Sequence, residues 1–215
     1  MDDIAALGER QRELGVPEAL EWIEEVTPGL RALARRARMR VKDVPLMVLG
    51  AGRWRTPAPP DGITVRPLRA GDPALAASGA VQYIGFGHPG TAVGEAGPAE
   101  RDASAVGLSP VELDFLSDRI RKGLTRPVVA EDEGGVLSSG SHQPLGEVSA
   151  IVGVATLPSA RRRGLAALVT ARLVQDARER GAEVVFIEAE DAEVARIYGR
   201  LGFEQVGTAC IAEPL

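Results

Sequence analysis

The run Leu157-Pro158-Ser159-Ala160-Arg161-Arg162-Arg163-Gly164-Leu165-Ala166 sets three adjacent cations and a glycine between two apolar stretches of different period. Val148 to Leu157 is short and β-branched and reads as a strand. Beyond the turn, Leu165, Leu168, Val169, Leu173 and Ala177 recur at helical spacing up to Gly181. The arginines then stand in the first turn of a helix, at the positive end of its macrodipole, where carboxylates are favoured. Gly164 in the same turn costs about 1 kcal/mol relative to Ala. Both penalties make sense if an anion docks on the free amides of that turn, with Gly164 letting its oxygens approach the backbone and the guanidiniums adding charge. A phosphate is such an anion. The same residues also read as a solvated basic turn with a tolerated glycine.

The rest of the chain must position that turn. With 215 residues, 45% of them hydrophobic and 26% charged, the sequence holds one full α/β core and an appendage. A net charge of −5 argues against a broad nucleic-acid or anionic-membrane surface, so the arginine cluster is better matched to a small anion. No aromatic platform accompanies the cluster, which also speaks against nucleic acid. The single cysteine, Cys210, excludes an intramolecular disulfide and a multi-cysteine zinc cluster, and no metal site is expected. No apolar stretch reaches membrane-spanning length and Met1-Asp2-Asp3 is no signal start, so a cytoplasmic setting is expected.

Three parts are expected along the chain. Residues 1–50 form an N-terminal helical appendage, with helices at Asp3 to Leu14, Glu18 to Val26 and Pro28 to Met39, then one strand from Val44 to Leu49. Residues 51–62 are a Pro/Gly-rich linker, and residues 63–215 are the main domain. In that domain Ile63 to Leu68 is a strand, Asp72-Pro73 opens a helix, His88 to Asp102 is a long loop, and Ser109-Pro110-Val111-Glu112 opens a capping-box helix. Pro127 to Glu131 and Gly135 to Ser139 read as a hairpin and Glu147 to Leu157 as the next strand. After the arginine-rich helix come a strand at Glu183 to Glu188, a helix at Asp191 to Leu201 and a strand at Phe203 to Ala212. Arg35 to Leu49 loosely echoes Tyr198 to Ile211: helix end, apolar hinge, strand.

From Glu147 to Ala212 the chain resembles the GNAT superfamily of acyl-CoA-dependent N-acyltransferases. Arg161 to Ala166 meets the pattern [Q/R]-x-x-G-x-[G/A] after a strand, with a proline at Pro158. Tyr198-Gly199-Arg200-Leu201-Gly202-Phe203 meets a second element, in which a strand and a short tyrosine-bearing helix lead to Gly-Phe. The resemblance implies a mixed α/β (α+β) fold, a mostly antiparallel sheet flanked by helices. It also implies acetyl-CoA, or another short acyl-CoA, as donor and a small-molecule or protein amine as acceptor.

Site residues follow from the resemblance position by position. The backbone of Arg161, Arg162, Arg163, Gly164, Leu165 and Ala166 would hold the pyrophosphate, and Val154, Ala155 and Thr156 would offer main-chain hydrogen bonds to the pantetheine arm and thioester. Tyr198 would give a proton to the departing thiolate; on its own it also reads as core, on a helix face with Val194, Ile197 and Leu201. Two departures stand out. Ala150 falls near the place where many relatives carry a glutamate base. Glu147 could act from the strand start, although it also reads as a solvated strand-end charge. Glu188 and Glu190 are further candidates, and His88 and His142 read as loop residues. The Ala150 departure keeps open a second function, an acyl-CoA-binding module without catalysis. The second departure is a C-terminus with room for one strand where relatives have two. Val44 to Leu49, or a second copy of the chain in a homodimer, would complete the sheet.

Overall fold

The computed structural model describes residues 2–50 and 54–215, so the expected linker lies partly outside the described residues. In chain order the elements are α1 (Asp2–Glu13), β1 (Leu20–Ile23), α2 (Leu30–Arg36), β2 (Met39–Leu49), β3 (Thr64–Pro67), α3 (Leu75–Gly87), α4 (Pro98–Val106) and α5 (Pro110–Arg121). There follow β4 (Arg126–Asp132), β5 (Gly135–Leu145), β6 (Val148–Thr156), α6 (Leu165–Glu179), β7 (Val184–Glu188), α7 (Ala192–Leu201) and β8 (Phe203–Pro214). The strands form one sheet in the order β1-β8-β2-β7-β6-β5-β4-β3. Every neighbouring pair is antiparallel except β6 and β7. The fold is therefore a mixed α/β sheet flanked by helices.

Strand period assigns the helices to faces. His142 on β5 bonds Asp176 on α6, and the register carries that face across the sheet through Ile151, Ile187 and Met47. Alternate residues of β2 then meet two helices on this face: Met39 and Val41 pack with Ala34 of α2, while Met47 and Leu49 pack with Tyr198 and Leu201 of α7. On the opposite face α3 lies over β5, where Ser78 Oγ and Ser139 Oγ are 2.6 Å apart. Leu157, Leu165, Val169, Leu173 and Val185 are buried between the layers, each contributing on the order of 1.5–3 kcal/mol by leaving water.

The N-terminal residues depart most from expectation. Glu18 to Val26, expected as helix, contains β1, because Trp22 and Leu20 alternate toward Cys210, Ala212 and Ala34 while the main chain adds to the edge of β8. Both N-terminal strands belong to the main sheet. The expected strand at Val44 to Leu49 begins at Met39 and lies between β7 and β8, where it supplies the neighbour that the C-terminal residues lack. Helix α2 is shorter than expected, since Arg38 at φ 60 turns the chain into β2.

Smaller corrections have local causes. The Asp72 carboxylate accepts from Ala74 N and pairs with Arg66, so α3 begins at Leu75 rather than at Pro73. The loop expected to reach Asp102 stops at Gly97, because the Glu100 carboxylate accepts from Gly97 N at 2.7 Å and caps α4. Strand β5 runs on to Leu145, paired with β6 from Ser138 onward.

Candidate active site

Strand β6 leaves its parallel neighbour part-way. Pairing with β7 covers Val148 to Ile151 against Val184 to Ile187, yet β6 continues to Thr156. Main-chain groups of β6 beyond Ile151 on the β7 side thus have no ladder partner, and such groups seek a hydrogen bond. A bulge marks the same stretch: the register with β5 shifts, and Gly153 takes φ +66. A Cβ at Gly153 would come within 3.0 Å of Gln82 Oε1, and one at Gly85 of α3 within 2.8 Å of Ala155 Cβ. Helix α3 therefore lies directly on the splayed strand. The resulting cavity, of about 1430 Å³, is lined by Val154, Ala155 and Thr156 and reaches the arginine turn. It exceeds the roughly 300–1,000 Å³ of an ordinary ligand pocket.

The turn itself is a nest of amides. A short 3-10 turn at Pro158–Ala160 leads to Arg161 in extended conformation, Arg162 at φ 65 and Gly164 at φ 77, after which α6 begins. The first α6 amide with a carbonyl partner is Leu168 N, bonded to Gly164 O, so the amides from Arg162 to Ala167 have no backbone acceptor among the described residues. A Cβ on Gly164 would meet nothing within 4 Å, so the turn is open at that residue. Free N–H groups, a helix N-terminus and a bare glycine are the groups that could hold a phosphate.

The three guanidiniums have separate jobs. Arg161 turns away from the nest and donates to Gly85 O, His88 O and Ala92 O, which ties the end of α3 and the following loop to the turn. Arg162 is exposed at the cavity mouth, 3.4 Å from Thr91 Oγ1 and 3.7 Å from Glu193 Oε1, and Thr91 itself bonds Glu193. Arg163 is exposed and lies outside the cavity lining. Leu165 and Ala166 both line it, although Leu165 is also core.

Helix α7 brings a phenol to the splay. Asp191 caps it, accepting from Glu193 N and Val194 N at 2.8 and 2.9 Å, and Gly202 at φ 110 ends it. Tyr198 is 5% exposed, lines the cavity and meets Phe203 edge-to-face at 6.2 Å. Burial raises its pKa above the usual phenol value, so it stands as a neutral O–H donor.

The carboxylates sort differently from expectation. Glu147 sits at the β5–β6 turn, the opposite end of β6 from Thr156, exposed and outside the cavity, with its carbonyl accepting from Glu183 N and Val184 N. It is too far along the strand to serve the splay. Glu188, at the end of β7, lines the cavity with Glu190, and its pKa is pushed up to about 7 by burial and by the Glu21 carboxyl of β1. Sequence reasoning missed Glu21, which lies far away in the chain and carries no local signal.

The two histidines take no part. His88 Nδ1 lies 2.9 Å from Ile84 O at the end of α3. His142, expected in a loop, is fully buried on β5, with Nδ1 2.8 Å from Ser149 Oγ and Nε2 2.9 Å from Asp176 Oδ2. That looks like a catalytic serine triad, but Ser149 is sealed and burial lowers the His142 pKa. It is a structural network.

A family model described as FR47-like protein matches residues 128–211, which span β4 to β8. No curated protein matches the sequence. Among solved structures, a GCN5-related N-acetyltransferase from Kribbella flavida is 26% identical, with 92% of this chain and 68% of that one covered at a TM-score of 0.63. A GCN5-related N-acetyltransferase from Sphaerobacter thermophilus has the same TM-score at 21% identity, over 94% of this chain and 62% of that one. A tandem GNAT protein from the clavulanic acid biosynthesis pathway is 16% identical, covers 86% of this chain and 57% of its own, and has a TM-score of 0.58. The chain thus has the fold of these GCN5-related N-acetyltransferases, and the matched family model, the splayed strands and the amide nest support membership of the GNAT superfamily.

Proposed function

We propose that the chain is an N-acyltransferase that moves an acetyl or other short acyl group from acyl-CoA to an amine by direct attack. One observation carries this: the amide nest at Arg162 to Ala167, the unpaired edge of β6 and the Tyr198 phenol converge on a single cavity. In this reading the nest binds the pyrophosphate, with Arg162 adding charge at the mouth. Arg161 supports the turn through its side chain. Val154, Ala155 and Thr156 align the pantetheine arm, and a free β6 amide faces the oxyanion that forms at the thioester carbon.

The proton balance assigns the remaining groups. An acceptor R–NH3+ gives one proton to Glu188 and attacks the carbonyl carbon with the lone pair that is freed. The C–S bond breaks, and the thiolate takes a proton from Tyr198, which recovers one from the nitrogen of the nascent amide. A base with a pKa near 7 accepts an ammonium proton far more readily than an ordinary carboxylate does. Glu188 thus takes the role first expected of Glu147. The non-catalytic alternative rested on a missing base, and Glu188 in the cavity weighs against it. The acceptor is a small-molecule or protein amine.

The test separates donor binding from transfer. Gly164→Glu should abolish CoA binding in a calorimetric titration, because its side chain fills and charges the phosphate seat. Tyr198→Phe should keep CoA affinity and lower acyl transfer across an amine panel by on the order of 10²-fold or more. Normal CoA affinity in Gly164→Glu would defeat the site assignment, and equal transfer in Tyr198→Phe would remove the phenol from the reaction.

A further inference from the structure

Side chains from three elements meet across the mouth of the cavity. Thr91 stands in the loop after α3, Glu193 in the first turn of α7 and Arg162 in the amide nest, and all three line the cavity. The Thr91 hydroxyl donates to the Glu193 carboxylate, while Arg162 Nη1 lies 3.4 Å from Thr91 Oγ1 and 3.7 Å from Glu193 Oε1. Helices α3 and α7 lie on opposite faces of the sheet, so the bond from Thr91 to Glu193 bridges the opening from one face to the other. The loop end of this bridge is fixed, because Arg161 donates to His88 O and Ala92 O on either side of Thr91. The α7 end is not. Asp191 caps the helix, and the half-exposed Glu193 side chain has no partner but Thr91 and Arg162 among the described residues. Glu193 can therefore change rotamer without moving α7.

We propose that Thr91 and Glu193 form an autoinhibitory latch on the donor site, in which Glu193 holds Arg162 until an acyl-CoA phosphate displaces it. This rests on the reading of the nest at Arg162 to Ala167 as the pyrophosphate seat. Of the three arginines in the turn, Arg162 is the one that offers its charge to a ligand: Arg161 is bonded to three carbonyls, and Arg163 lies outside the cavity lining. A carboxylate and a phosphate compete for the same guanidinium N–H groups, since both are oxyanions that the planar fork accepts. Their like charges also repel at this range. Latching and phosphate binding are then mutually exclusive, and the apparent CoA affinity is the intrinsic one scaled by the fraction of molecules with the latch open. An exposed ion pair of this length is weak alone. The Thr91 hydroxyl supplies the rest, a charge-assisted hydrogen bond that keeps the carboxylate facing Arg162. Opening breaks that bond and the ion pair and involves no covalent or proton-transfer step. The other acid at this end of the cavity, Glu190, lines it without a hydrogen bond or ion pair from its side chain among the described residues.

The experiment is a calorimetric titration of the full chain with CoA, which needs no acceptor. Glu193→Ala and Thr91→Val should each tighten CoA by about 3- to 10-fold. The double variant should bind no tighter than the better single one, because either change opens the same latch. Glu190→Ala removes an equal charge from the same lining without breaking a latch bond, and should alter affinity by less than about twofold. Arg162→Gln should weaken CoA binding, and Glu193→Ala added to it should bring no gain. Unchanged or weaker binding in either Glu193→Ala or Thr91→Val overturns the latch, and so does a gain in Glu190→Ala as large as that in Glu193→Ala, which would reduce the effect to general repulsion. No CoA binding by the unsubstituted protein or by any variant would instead overturn the pyrophosphate seat itself, and the latch with it.

Discussion

Strand β1, helix α2 and strand β2 relate to the sheet as β7, α7 and β8 do. Exchanging the two units leaves the order β1-β8-β2-β7 and all its antiparallel pairings unchanged. The hydrogen bonds beyond the ladders repeat as well. Glu24 N donates to Thr208 O at 2.9 Å and Ala189 N to Pro45 O at 3.0 Å; Leu215 N donates to Arg38 O at 3.2 Å and Gly50 N to Gly202 O at 3.3 Å. In each unit a left-handed residue, Arg38 or Gly202, turns the helix end into the long strand. Four residues before it stands Ala34 in one unit and Tyr198 in the other, and both are buried. The scaffold is the same, and the chemistry is not.

What differs is the neighbour. Strand β7 abuts β6, which splays away and opens the cavity under α7, so a phenol at that position lines the cavity. Strand β1 is the edge of the sheet, and the methyl of Ala34 simply packs on Trp22, Cys210 and Ala212. Caps differ in step: Asp191 bonds two amides at the start of α7, while α2 starts after Gly29 without a side-chain cap. The N-terminal unit serves as structure, and of its carboxylates Glu21 lines the cavity.

The largest effect is expected from removing the N-terminal unit. Without residues 1–50, β7 and β8 lose the strand between them, and Val44, Leu46, Met47 and Leu49 vanish from the buried set. Four buried side chains at roughly 2 kcal/mol each approach the whole stability of a typical domain. The truncated protein should therefore show no cooperative thermal transition by circular dichroism. Removing only residues 1–37 keeps β2 and should leave a folded protein of lower Tm. If the longer deletion left Tm unchanged, the two units would not share one sheet in solution.

This comparison also explains what could be read from the sequence. The arginine turn was legible because cations and a glycine at a helix start break local preference, and such conflicts mark sites. The tyrosine helix was legible through Asp191, Tyr198 and Gly202-Phe203, which lie close together in the chain. The N-terminal unit was not. A four-residue strand around Trp22 offers one turn of alternation, and its partner β8 is nearly two hundred residues away. Glu21 and Glu188 line one cavity only through a strand order that no local pattern encodes, and Glu147 looked suitable because it was near in sequence. The weak echo between Arg35 to Leu49 and Tyr198 to Ile211 was the one trace of the repeat.

A smaller effect should separate the two left-handed hinges. Gly202 at φ 110 lies beyond the left-handed well that L-residues visit, so Gly202→Val should cost about 1–3 kcal/mol. At roughly 2–4 °C per kcal/mol for a chain of this size, Tm should fall by several degrees in calorimetry. It should also disturb α7 and the placement of Tyr198, so transfer should fall more than CoA affinity. An unchanged Tm would mean that the hinge tolerates a side chain and that glycine is there for another reason.

The smallest effect has the opposite sign. Arg38 occupies the equivalent hinge at φ 60 with an exposed side chain, and an L-residue there carries about 1–2 kcal/mol of backbone strain. Glycine removes that strain, but it also loosens the unfolded chain by about 0.4–1 kcal/mol. Arg38→Gly should therefore be neutral to slightly stabilising, with a rise in Tm of at most a few degrees and no change in acyl transfer. A clear fall in Tm would show that Arg38 holds the hinge through its side chain and that the two units turn for different reasons. A rise would show that the same backbone turn is strained in the unit that only builds the sheet and relaxed, through Gly202, in the unit that sets the phenol at the cavity.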